Sequence, residues 1–212
     1  MGAERICLEI GCGKGKFIDS LAGRYPETGF VAVEGNLSVA YHALEKVEAS
    51  GHNVLFLLQY INDLADIFDA GELNGIYLNF SDPWPKSRDA KFRLTAPAFL
   101  RSYADALPVG GELQMKTDNL PLFEWSLKQL EQEKWELREV TTDLHAQGRQ
   151  GLLTDYETRF LQEGIPICRL VAVRAAGTLD GGAGIPPRLR DAALSDARGN
   201  QTATAEKKEN AE

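Results

Sequence analysis

Short apolar runs alternate with longer stretches of helical period along most of the chain, and this alternation restricts the fold more than any other property of the sequence. A repeat of strand and helix buries its apolar surface only as a mostly parallel sheet covered by helices on both faces. Seven strands are expected, at residues 6–10, 30–33, 54–58, 76–80, 112–116, 135–140 and 167–173. A helix over residues 16–24 turns Phe17, Ile18, Leu21 and Ala22 inward and closes at Pro26, whose ring clashes with a continuing turn. A second, over 37–50, carries Leu37, Ala40, Tyr41, Leu44 and Val47 on one face, with Gly51 as its left-handed stop. Further helices are expected over 97–107 and 122–133. The stretch 141–166 is too long for a tight hairpin and is expected to hold a functional loop.

From Gly177 onward the composition shifts to Gly, Ala, Pro, Asp, Thr and Lys with little periodicity. Residues 177–212 are therefore expected to be a tail without fixed structure, which leaves residues 1–176 as one α/β domain. No apolar run is long enough for a membrane span and no secretory signal is visible, so a cytoplasmic protein is expected. Cys7, Cys12 and Cys168 lack a C-x-x-C spacing, and His42, His52 and His145 lie far from them in sequence. Neither a disulfide framework nor a metal site is suggested, and the cysteines read as small apolar residues. The formal net charge of -8 argues against coating nucleic acid by bulk attraction. Lys86, Arg88, Lys91 and Arg93 nevertheless gather four cations in eight residues, enough for local phosphate contacts or simply a solvated basic loop.

Glu9-Ile10-Gly11-Cys12-Gly13-Lys14-Gly15 ends the first strand and opens a helix, where glycines allow positive φ and close approach of a ligand. It is not a P-loop, and Lys16 stands where a dinucleotide fingerprint requires its third glycine. The acidic Glu9 beside this turn suits a ligand with a cationic sulfonium and an amino-acid tail better than a phosphate. Glu34 follows the second strand, 19 residues after Gly15, where a carboxylate can accept hydrogen bonds from both hydroxyls of a ribose. The Glu34 spacing suits any adenosine cofactor, and Glu9 favours S-adenosyl-L-methionine over one that carries phosphates there.

Asn79-Phe80-Ser81-Asp82-Pro83-Trp84-Pro85-Lys86 follows the fourth strand, at the sheet edge where open α/β folds bind ligands. Asp82 and Trp84 each precede a proline, which steers both away from the helical region and is expected to hold them extended. The alternative, a Pro-rich turn with Trp84 against the core, leaves Asn79, Ser81 and Asp82 without a task.

These two segments, with Lys116-Thr117-Asp118 and Thr154-Asp155-Tyr156-Glu157, resemble the bacterial TrmB family of tRNA (guanine-N7-)-methyltransferases, in order and spacing, over roughly Glu4 to Arg174. The resemblance implies a Rossmann-like class I methyltransferase fold and transfer of a methyl group from S-adenosyl-L-methionine to N7 of a guanine in tRNA, in the variable loop. It also implies that Glu9, Gly11, Gly13, Gly15, Glu34 and Asn79 serve the cofactor and that Asp82 stands at the junction of cofactor and guanine. Lys86, Asp118, Thr154, Asp155, Tyr156 and Glu157 would contact substrate. From the residues alone, Thr154 with Glu157 is equally a capping box, and Asp118 equally a cap for the next helix.

Family members usually carry an acidic residue after the third strand for the adenine end. Here Gln59-Tyr60-Ile61-Asn62-Asp63 stands there, so Asn62, Asp63 or the backbone is expected to make that contact. A basic segment usually precedes the first strand, whereas Met1 lies five residues from Ile6; the expected consequence is for RNA affinity more than for cofactor binding. An enzyme that methylates exocyclic amines of a nucleobase and a noncatalytic tRNA-binding module are the alternatives.

Overall fold

The computed structural model describes residues 4–178. β1 (Arg5–Ile10), α1 (Lys16–Arg24), β2 (Thr28–Glu34), α2 (Leu37–Ser50) and β3 (Val54–Leu58) form the first half. A short 3-10 turn at Leu64–Asp66 precedes β4 (Gly75–Asn79), and another at Ser87–Phe92 precedes α3 (Pro97–Ala106). β5 (Glu112–Thr117), α4 (Leu120–Gln132), β6 (Glu136–Thr141), α5 (Asp155–Glu163) and β7 (Cys168–Val173) complete the order.

The seven strands lie side by side as β3-β2-β1-β4-β5-β7-β6. All neighbours from β3 to β5 are parallel, and β7 runs antiparallel between β5 and β6. From β1 the chain moves outward through β2 and β3, then returns to lay β4 against the other side of β1. The strand order therefore reverses between β1 and β4, and a crevice opens at their carboxyl ends.

Alternation along the inner strands divides the apolar residues between two faces. Leu8, Ile10, Val31, Val33, Ile76 and Leu78 pack with Leu100 and Tyr103 of α3 and Phe123 and Leu130 of α4. Cys7, Phe30, Ala32 and Tyr77 turn the other way, against Phe17, Ile18 and Leu21 of α1 and Ala43 of α2. Burial pushes the Cys7 thiol up to about 11, so it stays protonated and acts as a small apolar residue.

Several expectations are corrected. The inward face of α2 is Ala40, Ala43 and Val47, while Leu37, Tyr41 and Leu44 point outward. A Cβ built at Gly15 would meet the Cβ of Ala43 at 3.1 Å, so only small side chains fit where this helix approaches the glycine turn. The helix expected from residue 122 begins at Leu120, because the Asn119 side chain accepts the Leu122 amide at 2.9 Å. Asn119, rather than Asp118, is its cap. Helix α5 takes nine residues of the stretch expected to hold a functional loop, starting at the Thr154–Glu157 capping box. Residues 179–212, where most of the expected tail falls, lie outside the described residues. Thr178, the last described residue, is 7% exposed, and its hydroxyl donates to the Lys134 carbonyl at 3.0 Å. No helix among the described residues is long and apolar enough to cross a membrane.

Candidate active site at the carboxyl edge of the sheet

The turn after β1 hangs from β2: the amides of Gly11 and Cys12 donate to the Val33 carbonyl at 2.8 and 3.0 Å. Gly13 then turns its amide to Glu34 Oε2 at 3.0 Å, while Asn36 donates to Glu34 Oε1 at 2.9 Å. With φ of 56° at Gly13 and 73° at Gly15, both lie in the left-handed region where a side chain is strained. The Glu34 carboxylate is thus stapled beside the glycine turn at the end of β2, and each oxygen keeps a lone pair for a ligand hydroxyl.

Glu9 is 2% exposed in the middle of this edge. Its Oε1 accepts from Asn79 Nδ2 at 2.8 Å, and its Oε2 is buried without a partner. Burial pushes its carboxyl up to about 8, against the opposing pull of the Asn79 hydrogen bond, the Lys116 charge and the Ile18 amide in the first turn of α1. A buried acceptor left open asks for a donor, and a cationic one pays back most of the desolvation. Asn62 lies half-buried after β3. Its neighbour Asp63 is committed elsewhere, accepting from the Ser102 hydroxyl at 2.8 Å and the Ala65 amide at 3.1 Å. Of the two, Asn62 is the one available to a ligand. The Tyr60 ring lies so close over Gly35 that a Cβ there would sit 2.3 Å from it, which places an aromatic beside the Glu34 turn.

β4 ends sooner than expected. Phe80 leaves the strand at φ 56°, although its amide still donates to the Lys116 carbonyl at 2.8 Å. The ring thereby stacks on Tyr156, centroids 5.6 Å apart, and packs on Phe160. Trp84 has φ 42° and is not extended as expected. The clash with the following proline is avoided by a left-handed turn, fixed by Arg93, whose Nε and Nη2 bond the carbonyls of Pro83 and Trp84 at 3.0 and 2.9 Å. The Trp84 ring leans on Phe92 at 5.3 Å. Arg93 therefore leaves the expected basic cluster: it clamps this segment and lies over the Trp125 ring. Lys86, Arg88 and Lys91 remain exposed. Asp82 is exposed on the clamped segment.

Asp118 is exposed at the end of β5. Thr154 and Glu157 form a complete capping box at the start of α5, with Thr154 Oγ1 accepting the Glu157 amide at 3.0 Å and Glu157 Oε2 the Thr154 amide at 2.9 Å. Both are buried, and Asp155 and Tyr156 are the exposed members of the tetrad. Lys16 on α1, read in the sequence only as the residue in place of a third glycine, ties this turn down through Asp155 at 3.3 Å. Lys116 and His145 were also missed as partners; each meets Glu157 across a long sequence separation. A cavity of about 730 Å³ shares Asn79 and Lys116 with this edge and then runs down the sheet face between Phe17, Tyr77, Leu152 and Arg169. It includes neither Glu34 nor Asp82, so the site rests on the residues at the strand ends.

The family model "Methyltransf_4: Putative methyltransferase" matches residues 3–170. A tRNA (guanine-N(7)-)-methyltransferase of Brevibacillus brevis is 45% identical over 170 residues, which cover 79% of each chain. Proteins of the same name from Streptococcus equi subsp. zooepidemicus and Lachnoclostridium phytofermentans are 47% and 46% identical, over 79% and 80% of this chain and 80% of each relative. Among solved structures, a SAM dependent methyltransferase from Aquifex aeolicus superposes with a TM-score of 0.59 at 14% identity, covering 82% of this chain and 84% of the other. The 16S rRNA methyltransferase KamB gives 0.61 at 17% identity, over 82% and 89%. At such identities the likeness establishes the fold, that of Rossmann-like methyltransferases, while the family rests on the closer relatives. The chain belongs to the family of bacterial tRNA (guanine-N(7)-)-methyltransferases.

Proposed function

We propose that this protein transfers a methyl group from S-adenosyl-L-methionine to N7 of a guanine in the variable loop of tRNA, in the cytoplasm. The observation that carries this reading is the pairing, at one sheet edge, of a buried carboxylate with an open acceptor at Glu9 and an exposed carboxylate at Asp82 on a clamped segment. When bound, the cofactor supplies a methyl carbon made electrophilic by its sulfonium.

Glu9, held by Asn79, accepts from the cationic amino-acid end, with Gly11, Gly13 and Gly15 allowing close approach to the turn. Glu34 accepts from the ribose hydroxyls, and Asn62 faces the adenine. N7 of a neutral guanine carries a lone pair, so no general base is needed and the protein's main task is alignment. Holding the reacting atoms at near-attack distance supplies about 7–11 kcal/mol in favourable cases. As N7 is alkylated, positive charge spreads over the purine and its ring N–H grows more acidic. Asp82, accepting from that edge of the base, then binds the transition state more strongly than the ground state. Tyr156, exposed on its Phe80 support, offers a stacking face to a base drawn out of the RNA. Lys86, Asp118 and Asp155 contact the surrounding RNA, while Thr154 and Glu157 act by fixing the start of α5.

The test is methyl incorporation into tRNA transcripts. Replacing the variable-loop guanine by adenine abolishes labelling on this reading; unchanged labelling would place the target elsewhere.

A further inference from the structure

The start of α5 and the loop before it are fastened by a buried ionic cluster, of which the methyl-transfer reading uses only Glu157. Lys116 Nζ lies 2.9 and 3.1 Å from the two oxygens of Glu157 and 3.1 Å from the Leu152 carbonyl. The two side chains are 10% and 0% exposed. His145 Nε2 stands 3.4 Å from Glu157 Oε1, its side chain 5% exposed. Its Nδ1 accepts the Gln150 amide at 3.1 Å, which requires a lone pair there and puts the ring hydrogen on Nε2. That N–H faces the carboxylate without reaching hydrogen-bond geometry. On the opposite side, Lys16 of α1 donates to Thr158 Oγ1 at 3.1 Å.

A buried ion pair adds little net stability, because desolvation offsets its attraction, and an apolar pair of similar volume often serves the fold as well. What the cluster supplies is placement. Lys116 is the register partner of Asn79, whose side chain holds Glu9, so one pair of neighbouring strands anchors both the cofactor-side carboxylate and α5. Tyr156 sits between the tethered Asp155 and Glu157, and its ring reaches Phe80, two residues before Asp82.

We propose that Lys116 and His145 are positioning residues, acting through Glu157 to hold Tyr156 and the 142–153 loop on the guanine side of the site. This rests on the methyltransferase reading above, which wild-type activity on tRNA tests separately; the ratio of variant to wild type tests the present proposal.

The decisive variants are the double substitution Lys116→Met with Glu157→Gln, which removes both buried charges together, and His145→Ala, which leaves the ion pair in place. For His145→Ala the affinity for S-adenosylmethionine stays at the wild-type value while kcat/KM for tRNA falls severalfold; the double variant also removes the Lys116 charge that favours ionised Glu9, so there kcat/KM for tRNA falls by about ten- to a hundredfold, well beyond the smaller fall in cofactor affinity. The amides of Gln150 and Glu157 lose hydrogen-exchange protection in parallel. Wild-type kcat/KM in either folded variant overturns the proposal, as does a loss of cofactor affinity that matches the loss of turnover. Should the double variant not fold, His145→Ala decides alone by the same two readouts.

Discussion

On the proposed function, Glu9 is the carboxyl group that meets the cationic end of the cofactor. Burial lifts it from the ordinary 4.5 to about 8, so in the ligand-free protein it is mostly protonated at neutral pH, whereas a cationic partner requires the carboxylate. Affinity for S-adenosylmethionine should therefore rise with pH, approaching about tenfold per unit well below 8, until the ligand's own amino group begins to lose its proton, and Glu9→Gln should flatten the rising limb. Calorimetric titration between pH 6 and 9 reads this directly; a flat wild-type profile would contradict it. The same shift acts on folding with the opposite sense. A carboxyl raised in the folded state is protonated there while already ionised in the unfolded chain, so ligand-free stability falls as pH rises from 4.5 and the loss is complete above about 8. On the substrate side, Asp82→Ala should lower turnover by about a hundredfold or more while leaving cofactor affinity nearly unchanged, by single-turnover kinetics against calorimetry. The positions of Glu9, Glu34 and Asp82 at the carboxyl edge were legible in the sequence because each stands at or just beyond the end of a recognisable strand. Lys116 and His145 were not, since their common partner Glu157 is distant from both in sequence and only the packing of α5 on the sheet brings the three together.

Period-two and helical patterns locate the elements, but which side of a helix turns inward depends on what it must approach. In α2 the expected face of Leu37, Ala40, Tyr41, Leu44 and Val47 holds at Ala40 and Val47, and the close approach to the glycine turn selected Ala43 in place of Leu37, Tyr41 and Leu44. That contact makes Gly15 sensitive for two reasons, its φ of 73° and the 3.1 Å approach of Ala43. Gly15→Ala should cost about 1–3 kcal/mol, seen as a lowered midpoint in denaturant unfolding; an unchanged midpoint would show that the turn and α2 can relax apart. The positive φ angles of Phe80 and Trp84 likewise had no sequence signal. They are set by tertiary partners, the Tyr156 and Phe160 rings for one and the Arg93 clamp for the other.

At the scale of the whole molecule, alternation along the chain announced a mostly parallel sheet, but the insertion of antiparallel β7 between β5 and β6 is a pairing choice made by tertiary packing. The net charge of -8 makes RNA binding depend on where cations are exposed rather than on their total. Lys86 lies on the exposed segment that carries Asp82, so Lys86→Ala should weaken tRNA binding and reduce the salt slope by about one phosphate contact. An unaltered slope would remove Lys86 from the RNA interface. The account as a whole stands on methyl transfer to one ring nitrogen, and the most direct measurement is incubation with methyl-labelled cofactor and tRNA followed by identification of the labelled nucleoside. The prediction is label in 7-methylguanosine, and none when 7-deazaguanine replaces the target base. Label on an exocyclic amine, or persisting in the 7-deaza substrate, would contradict it.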